Sequence, residues 1–201
     1  MTARRLLRYD GERRIVEVSV LGSDGTLSKK SIYEYLDHGR RAEEASRGPD
    51  GSLLYTQTLN SGGHLVEAAA YGIDGSLTGK WVFTNNSEGR AVVQSHYSES
   101  GTLVGRIFCG YDNDGNVVRF LYFSRRGTLI IATTLNYDVN GNLTEVDYHD
   151  PVRRQDSKLI YENDEFGNWI RETELILVTQ GGQTYWERTG KEEYQSVEYY
   201  P

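Results

Sequence analysis

The side chains with the most chemical potential in this sequence are one cysteine and four histidines. Cys109 has no second cysteine with which to form a disulfide, and a lone cysteine is typical of a small buried hydrophobe rather than a nucleophile. The histidines lie on separate segments, without the short spacing that a zinc site needs: His38, His64, His96 and His149. These residues therefore predict no metal site, no cofactor and no catalytic residue.

Acidic side chains recur beside glycines. Asp112, Asp114 and Asn116 imitate part of a calcium loop, but the glycine follows too soon and no distal glutamate completes the ligand set. The neighbours Glu43-Glu44 and Glu192-Glu193 would point to opposite faces of a strand, so neither pair forms a catalytic dyad. We therefore expect turns rather than metal loops, and a protein that is not an enzyme.

The glycines indicate which elements carry these residues. Ten successive intervals between them are all even, either 12 or 14 residues, and from Gly63 they alternate strictly to give a 26-residue unit. Even spacing suits strands, whose side chains alternate with period two, and the many Asp-Gly and Asn-Gly pairs suit tight hairpins. The series is Gly11, Gly25, Gly39, Gly51, Gly63, Gly75, Gly89, Gly101, Gly115, Gly127 and Gly141.

Apolar residues hold fixed places around these turns. A leucine or other apolar residue follows most glycines by two positions, as at Leu129, and an aromatic residue often precedes the next glycine by four, as at Phe123 and Tyr137. Because both offsets are even, we expect the leucine and the aromatic of one strand to share one buried face, opposite a polar face.

The predicted fold is all-β, a long antiparallel meander of about 13–15 strands built from 26-residue β-hairpins. Because no helix is predicted to cover the apolar face, we expect a coiled sheet or β-solenoid with that face lining an interior; a closed barrel or a two-layer sheet is the alternative. Residues 1–201 then form one array, with repeats over 9–172 and a capping hairpin over 173–201. Within it, residues 40–47 favour a charged strand over a single helical turn, and Asp150-Pro151-Val152-Arg153 replaces a missing glycine turn.

In the middle of the chain the expected polar face becomes apolar as well. Over three consecutive strands, residues of the other parity are large and hydrophobic, so that stretch is either covered on both sides or presents a sticky patch. We expect a partner surface there, formed by Phe108, Phe120, Tyr122 and Ile130.

Two segments resemble the YD repeat, also called the Rhs repeat. They are Tyr111-Asp112-Asn113-Asp114-Gly115-Asn116-Val117 and Tyr137-Asp138-Val139-Asn140-Gly141-Asn142-Leu143, and residues 161–169 look like a stretched copy. The resemblance covers about residues 9–172; a weaker one is to MORN-like repeats. It implies long antiparallel sheets that spiral, as bacterial shells around toxin domains or as cell-surface contact modules.

Charge and resemblance together set the expected partners. A net charge of −7 without any block of lysine or arginine argues against nucleic acid, and no apolar run is long enough to insert into a membrane. A protein or glycan partner is expected, with edge-to-edge self-association through unpaired strands. We expect no signal peptide in this chain and a slice or minimal array of repeats, whereas an extracellular or cell-surface location is implied by the resemblance alone.

The expected function is a non-enzymatic structural or interaction module of a cell-surface, secreted or toxin-associated protein. The alternative is a carbohydrate- or cell-wall-binding repeat protein that uses exposed aromatic side chains.

Overall fold

The computed structural model of the chain describes residues 4–36 and 41–195, and its secondary structure is β-strand throughout. The fifteen strands are β1 (Arg4–Tyr9), β2 (Ile15–Leu21), β3 (Leu27–Tyr35), β4 (Arg41–Arg47), β5 (Leu53–Leu59), β6 (Leu65–Tyr71), β7 (Leu77–Asn85), β8 (Ala91–Ser98), β9 (Leu103–Tyr111), β10 (Val117–Ser124), β11 (Leu129–Tyr137), β12 (Leu143–Asp150), β13 (Gln155–Asn163), β14 (Trp169–Gln180) and β15 (Gln183–Tyr194).

The strands lie in one sheet in chain order, and the paired neighbours are antiparallel. The predicted all-β meander is confirmed, and since the order is linear from β1 to β15 the closed alternative is not the one formed. Residues 41–47 are a strand, as predicted, whereas His38 and Gly39 lie outside the described residues. Among the described residues, none belongs to a helix long and apolar enough to cross a membrane.

The chain forms two compact units, Met1–Gly105 and Arg106–Pro201, with the boundary inside β9. In the first unit, β2 to β7 pair in unbroken succession, for example Val18 with Ser31. In the second, β10 to β15 do the same. The strands β14 and β15 form a hairpin joined through Gly181 and Gly182, both with positive φ, within the segment predicted to cap the array.

Most hairpins close through the same three-residue loop. In the loop after β11, the Asp138 amide donates to the Asn142 carbonyl (2.9 Å) and the Gly141 amide to the Asp138 carbonyl (3.1 Å). Gly141 has φ +83°, a conformation that side chains with a Cβ rarely adopt. A three-residue loop ending in a left-handed residue is a common hairpin connection and explains the glycine beat.

The first turn departs from the predicted glycine series. Gly11 does not have a positive φ, and the left-handed residue of this turn is Arg13, with φ +63°. The same loop hydrogen bonds join Asp10 to Arg14 and Arg13 to Asp10. In the first turn, the left-handed residue is therefore Arg13, two positions after the glycine that the series predicts.

The predicted glycine-free turn after β12 is also formed. Asp150 Oδ1 accepts hydrogen bonds from the amides of Val152 (3.0 Å) and Arg153 (2.8 Å), and Arg154 takes the left-handed conformation with φ +56°. The side chain of Asp150 thus stabilises a turn that lacks the usual glycine.

Pairing shifts by one residue just after the three-residue loops. Tyr137 pairs with Leu143, yet Asn136 pairs with Glu145, so Thr144 is an extra residue in β12. Beyond such a bulge the alternation of side chains in that strand is shifted by one residue, so each later side chain projects from the face opposite to the one that simple alternation predicts. The same shift follows the loop after β10, where Phe123 pairs with Leu129 and Tyr122 with Ile131.

The expectation that the leucine and the aromatic of one strand share a face is therefore wrong. Leu129 lies on the face of its partner Phe123, whereas Tyr137, at the far end of β11, lies on the opposite face with Leu143. The two residue types do meet, but as cross-strand partners at each turn, and successive turns place them on alternating faces.

A recurrent hydrogen bond ties hairpins together at one end of the sheet. The residue four positions before the glycine donates from its side chain to a backbone carbonyl 20 residues earlier, at the start of the preceding, neighbouring strand. The pairs are Tyr35 to Ile15 (2.6 Å), Asn85 to Leu65 (3.0 Å), Tyr137 to Val117 (2.8 Å) and Asn163 to Leu143 (2.9 Å).

A packed interior is not observed. Among the described residues no large side chain is fully buried, and the buried hydrophobic residues are only Ala68, Ala69, Cys109 and Val146. Most strand residues are half-buried on either face. The predicted interior is thus wrong for these residues, because their apolar side chains are distributed over both faces rather than gathered on one.

The left-handed conformation of the loop glycines predicts that two glycine substitutions will differ in their effect on the free energy of unfolding. Gly141→Ala should lower the free energy of unfolding by about 1 kcal/mol, because a Cβ at φ +83° is strained even though no atom lies within 4 Å of it. Gly11→Ala, also in open space but without positive φ, is the matched control and should change it by less than about 0.5 kcal/mol. Denaturant unfolding followed by circular dichroism measures both; equal losses would contradict the assigned loop.

Candidate functional site: an aromatic cleft

An apolar cleft lies in the second unit, where β9 and β10 meet the loop that leads into β11. Its volume is about 430 Å³, and its lining is Arg106, Phe108, Leu121, Phe123, Ser124 and Gly127. The rings of Phe108 and Phe123 meet edge to face, with centroids 5.5 Å apart and planes at 88°. We call this the phenylalanine cleft.

Strand alternation places these side chains on one face. Leu121 and Phe123 are two residues apart on β10, whose pairing with β11 is regular from Arg119 to Tyr122, and Arg106 and Phe108 are two apart on β9. The loop after β10 supplies the end wall through Ser124 and Gly127. The cleft is open to solvent, and 40% of the Phe108 side chain is exposed.

The four residues predicted as a partner surface do not come together. Phe108 lines the cleft, whereas Phe120 and Tyr122 alternate with Leu121 and therefore project from the opposite face. Ile130 is the extra residue of the bulge between Leu129 and Ile131. The sequence prediction thus combined residues of the two faces, and the partner surface itself stays a prediction.

Phe123 is the functional candidate that the prediction assigned elsewhere. Its position four residues before Gly127 placed it in the expected core series with Tyr137. Successive turns in this part of the sequence differ in composition, and this difference could have shown that Phe123 and Tyr137 lie on different faces. Phe123 precedes a Ser-Arg-Arg-Gly-Thr turn, and Tyr137 precedes an Asp-Val-Asn-Gly-Asn turn. Turns of these two kinds lie at opposite ends of the strands, and their aromatic residues on opposite faces.

A second aromatic cleft lies on that opposite face. It has a volume of about 300 Å³ and includes Tyr161, Trp169 and Glu172, with Leu143, Asn163 and Gly167. The Tyr161 and Trp169 rings approach edge to face at 6.5 Å. Burial, followed by the hydrogen bond to Glu172, raises the pKa of the Tyr161 hydroxyl well above its usual value, so it stays protonated as a donor. We call this the tryptophan cleft.

A polar cleft is formed by two neighbouring turns, residues 112–116 and 137–141, with a volume of about 610 Å³. Two of its carboxylates are already engaged: Asp138 Oδ1 accepts from the amides of Asn140 and Asn142, each at 2.9 Å, and Asp112 Oδ1 accepts from the Asn116 amide at 2.8 Å. Burial and the charge of Asp112 raise the pKa of Tyr137 beside them. The acidic residues here stabilise turns, and within residues 4–36 and 41–195 no group of three or more His, Cys, Asp or Glu is placed to hold a metal ion.

Two histidines have specific partners. His149 Nδ1 lies 2.6 Å from Asp156 Oδ1, across the β12–β13 pair, with both side chains partly exposed. His96 stacks on Trp81 with ring centroids 4.9 Å apart. The sequence analysis identified neither of these contacts.

No protein-family model matches the sequence, and no curated protein matches it either. Among solved structures, the chain is similar to a porin-like protein from Bacteroides uniformis ATCC 8492, with a TM-score of 0.50 and 12% identity over 92% of this chain and 88% of that one. At this identity the likeness shows the fold alone.

The crystal structures of TcdB2-TccC3-TEV and TcdB2-TccC3-Cdc42 also align with the chain. Each is 14% identical over 85% of this chain, with a TM-score of 0.32, and the aligned part is 11% of the first and 10% of the second. A TM-score this low carries no argument about function. The comparisons therefore support the fold alone and assign the chain to no family.

The turn carboxylates predict a specific loss of stability in acid. Hydrogen bonds from the Asn142 backbone and side chain hold the pKa of Asp138 below its usual 3.8, so its contribution is complete above that value and is lost as the pH falls through the lower folded pKa. Asp138→Asn should retain the fold at neutral pH, because Asn60 and Asn86 make the same turn contacts, and should weaken the acid dependence.

Urea unfolding at several pH values between neutral and about 2 measures this effect. Asp114→Asn is the control, since the Asp114 side chain forms no hydrogen bond with a described residue, and it should leave the acid profile unchanged. An Asp138→Asn profile identical to that of the parent protein would contradict the role given to this carboxylate.

Proposed function

We propose that this chain is a non-enzymatic β-hairpin repeat module that binds a protein partner on a face of its sheet. The observation that carries the proposal is the phenylalanine cleft, in which two aromatic rings and Leu121 remain accessible on an uncovered face. Exposed aromatic side chains grouped in a cleft are typical anchors of protein interfaces.

The regular hairpins supply the rigid support that such a site needs. Each cleft residue lies on a strand or on a loop fixed by backbone hydrogen bonds, such as that from Gly127 to Ser124 (3.0 Å). A ligand therefore meets side chains that are already in place, which lowers the entropic cost of binding. The resemblance to YD repeats supports a module within a cell-surface, secreted or toxin-associated protein.

The alternative function is carbohydrate binding, and the tryptophan cleft is the observation that favours it. Trp169 and Tyr161 offer aromatic surface, while Glu172 and Asn163 add polar groups that can bond sugar hydroxyls. Asn163 Nδ2 is already bonded to the Leu143 carbonyl, which leaves its side-chain oxygen as the accepting group.

Because the two clefts lie on opposite faces, single substitutions separate the two functions. The protein should be applied to a peptide array and a glycan array as the parent chain, as Phe108→Ala and as Trp169→Ala. We expect peptide binding that falls about tenfold with Phe108→Ala and persists with Trp169→Ala, since a buried aromatic anchor is worth about 1–2 kcal/mol.

Circular dichroism of each variant checks folding; Phe108 is 40% exposed, so its truncation should leave the sheet intact. Glycan binding abolished by Trp169→Ala alone would establish the alternative. Absence of any ligand sensitive to Phe108→Ala would overturn the proposed function.

A further inference from the structure

We propose that the phenylalanine cleft binds an acidic peptide segment, whose apolar side chain enters beside Phe108 and Phe123 and whose carboxylates pair with arginines around it. This inference rests on the proposed function and names the chemistry of its partner. It is supported by the unpaired arginines near the cleft and by the lack of acidic side chains on the same face of β10 and β11.

Four exposed arginines lie on the strands and the loop that form the cleft. Arg106 lines it, Arg125 and Arg126 lie between its lining residues Ser124 and Gly127, and Arg119 lies two residues from Leu121 on the same face of β10. None of the four forms an ion pair with any residue that the structure describes. In a chain with a net charge of −7, this is a local concentration of uncompensated positive charge.

On β13 and β14, two basic side chains of the same face are compensated. Lys158 lies 3.0 Å from Glu145 and 3.1 Å from Asp147. Arg171 lies 2.9 Å from both Glu162 and Glu192. The sheet therefore pairs its cations across strands β12 to β15 and leaves those around the cleft unpaired.

The face around the cleft also lacks acidic side chains of its own. On β10 and β11 the residues of this face are Arg119, Leu121, Phe123, Leu129, Ala132, Thr134 and Asn136. A carboxylate that approaches the cleft thus meets Arg106 in its lining and the positive charge of the neighbouring arginines, without repulsion from acidic side chains on this face of β10 and β11. Arginine binds carboxylates by paired, directional hydrogen bonds, which favours this anion over a diffuse charge.

Apolar and charged contacts must be satisfied by the same ligand, because Arg106 and Phe108 line one cleft. A peptide with an aliphatic or aromatic residue between glutamates or aspartates meets both requirements over a few residues. An anionic membrane fits less well, since a flat surface would also meet Glu145, Asp147 and Glu162 on the same face.

Three fluorescein-labelled pentapeptides test this assignment by fluorescence anisotropy: Glu-Glu-Leu-Glu-Glu, Gln-Gln-Leu-Gln-Gln and Lys-Lys-Leu-Lys-Lys. We expect the acidic peptide to bind at least tenfold more tightly than the others, and its affinity to fall severalfold between about 0.05 and 0.5 M salt. Phe108→Ala should weaken it about tenfold.

Charge variants locate the binding. Arg125→Gln/Arg126→Gln should weaken the acidic peptide about five- to tenfold. Arg4→Gln/Arg5→Gln removes the same charge from β1, from arginines that also lack an ion pair with a described residue, and should leave its affinity within about twofold.

Equal loss in both double variants would mean a general charge effect and would overturn the assignment to the cleft. Equal binding of all three peptides, still lost with Phe108→Ala, would refute the acidic partner while leaving the proposed interaction module intact. Binding to phosphatidylserine vesicles, but not to the acidic peptide, would replace the peptide with a lipid surface and overturn the inference.

Discussion

The structure depends on one local constraint, the three-residue loop that ends in a left-handed residue and is followed by a bulge. The loop reverses the chain with backbone hydrogen bonds alone, and glycine is favoured because a Cβ is strained at φ near +80°. The bulge then shifts the alternation of side chains along the strand by one residue, so that later side chains project from the opposite face. Which side chains meet, as Phe123 meets Phe108 and Tyr137 meets Leu143, follows from these two steps.

A sheet without a buried core must be stabilised within its own surfaces. The described residues do this with rows of cross-strand contacts on each face, such as the chain of ion pairs from Arg8 through Glu17 to Lys30 and that from Glu162 through Arg171 to Glu192. Each contact contributes modestly, but the rows recur along the sheet. The same uncovered faces leave aromatic side chains available to a partner, so stability and binding arise from one arrangement.

Much of the fold was predictable because its signals are local. Gly25, Gly141 and their equivalents specify turns through backbone conformation, which neighbouring residues alone can reveal. The site was only partly predictable. Phe108 was recognised, but Phe123 was assigned to a core, because one bulge residue in each strand inverts the parity on which the assignment depended.

The meander of short hairpins and the position of nearly every turn could be predicted from the sequence, since glycine spacing and Asp or Asn at the turns are properties of adjacent residues. Tertiary structure alone decided which face each side chain occupies, that no large side chain among the described residues is fully buried, and that Arg106 and Phe123 line one cleft. The reason is that strand register is set by pairing between strands, where a single extra residue moves every later side chain to the other face.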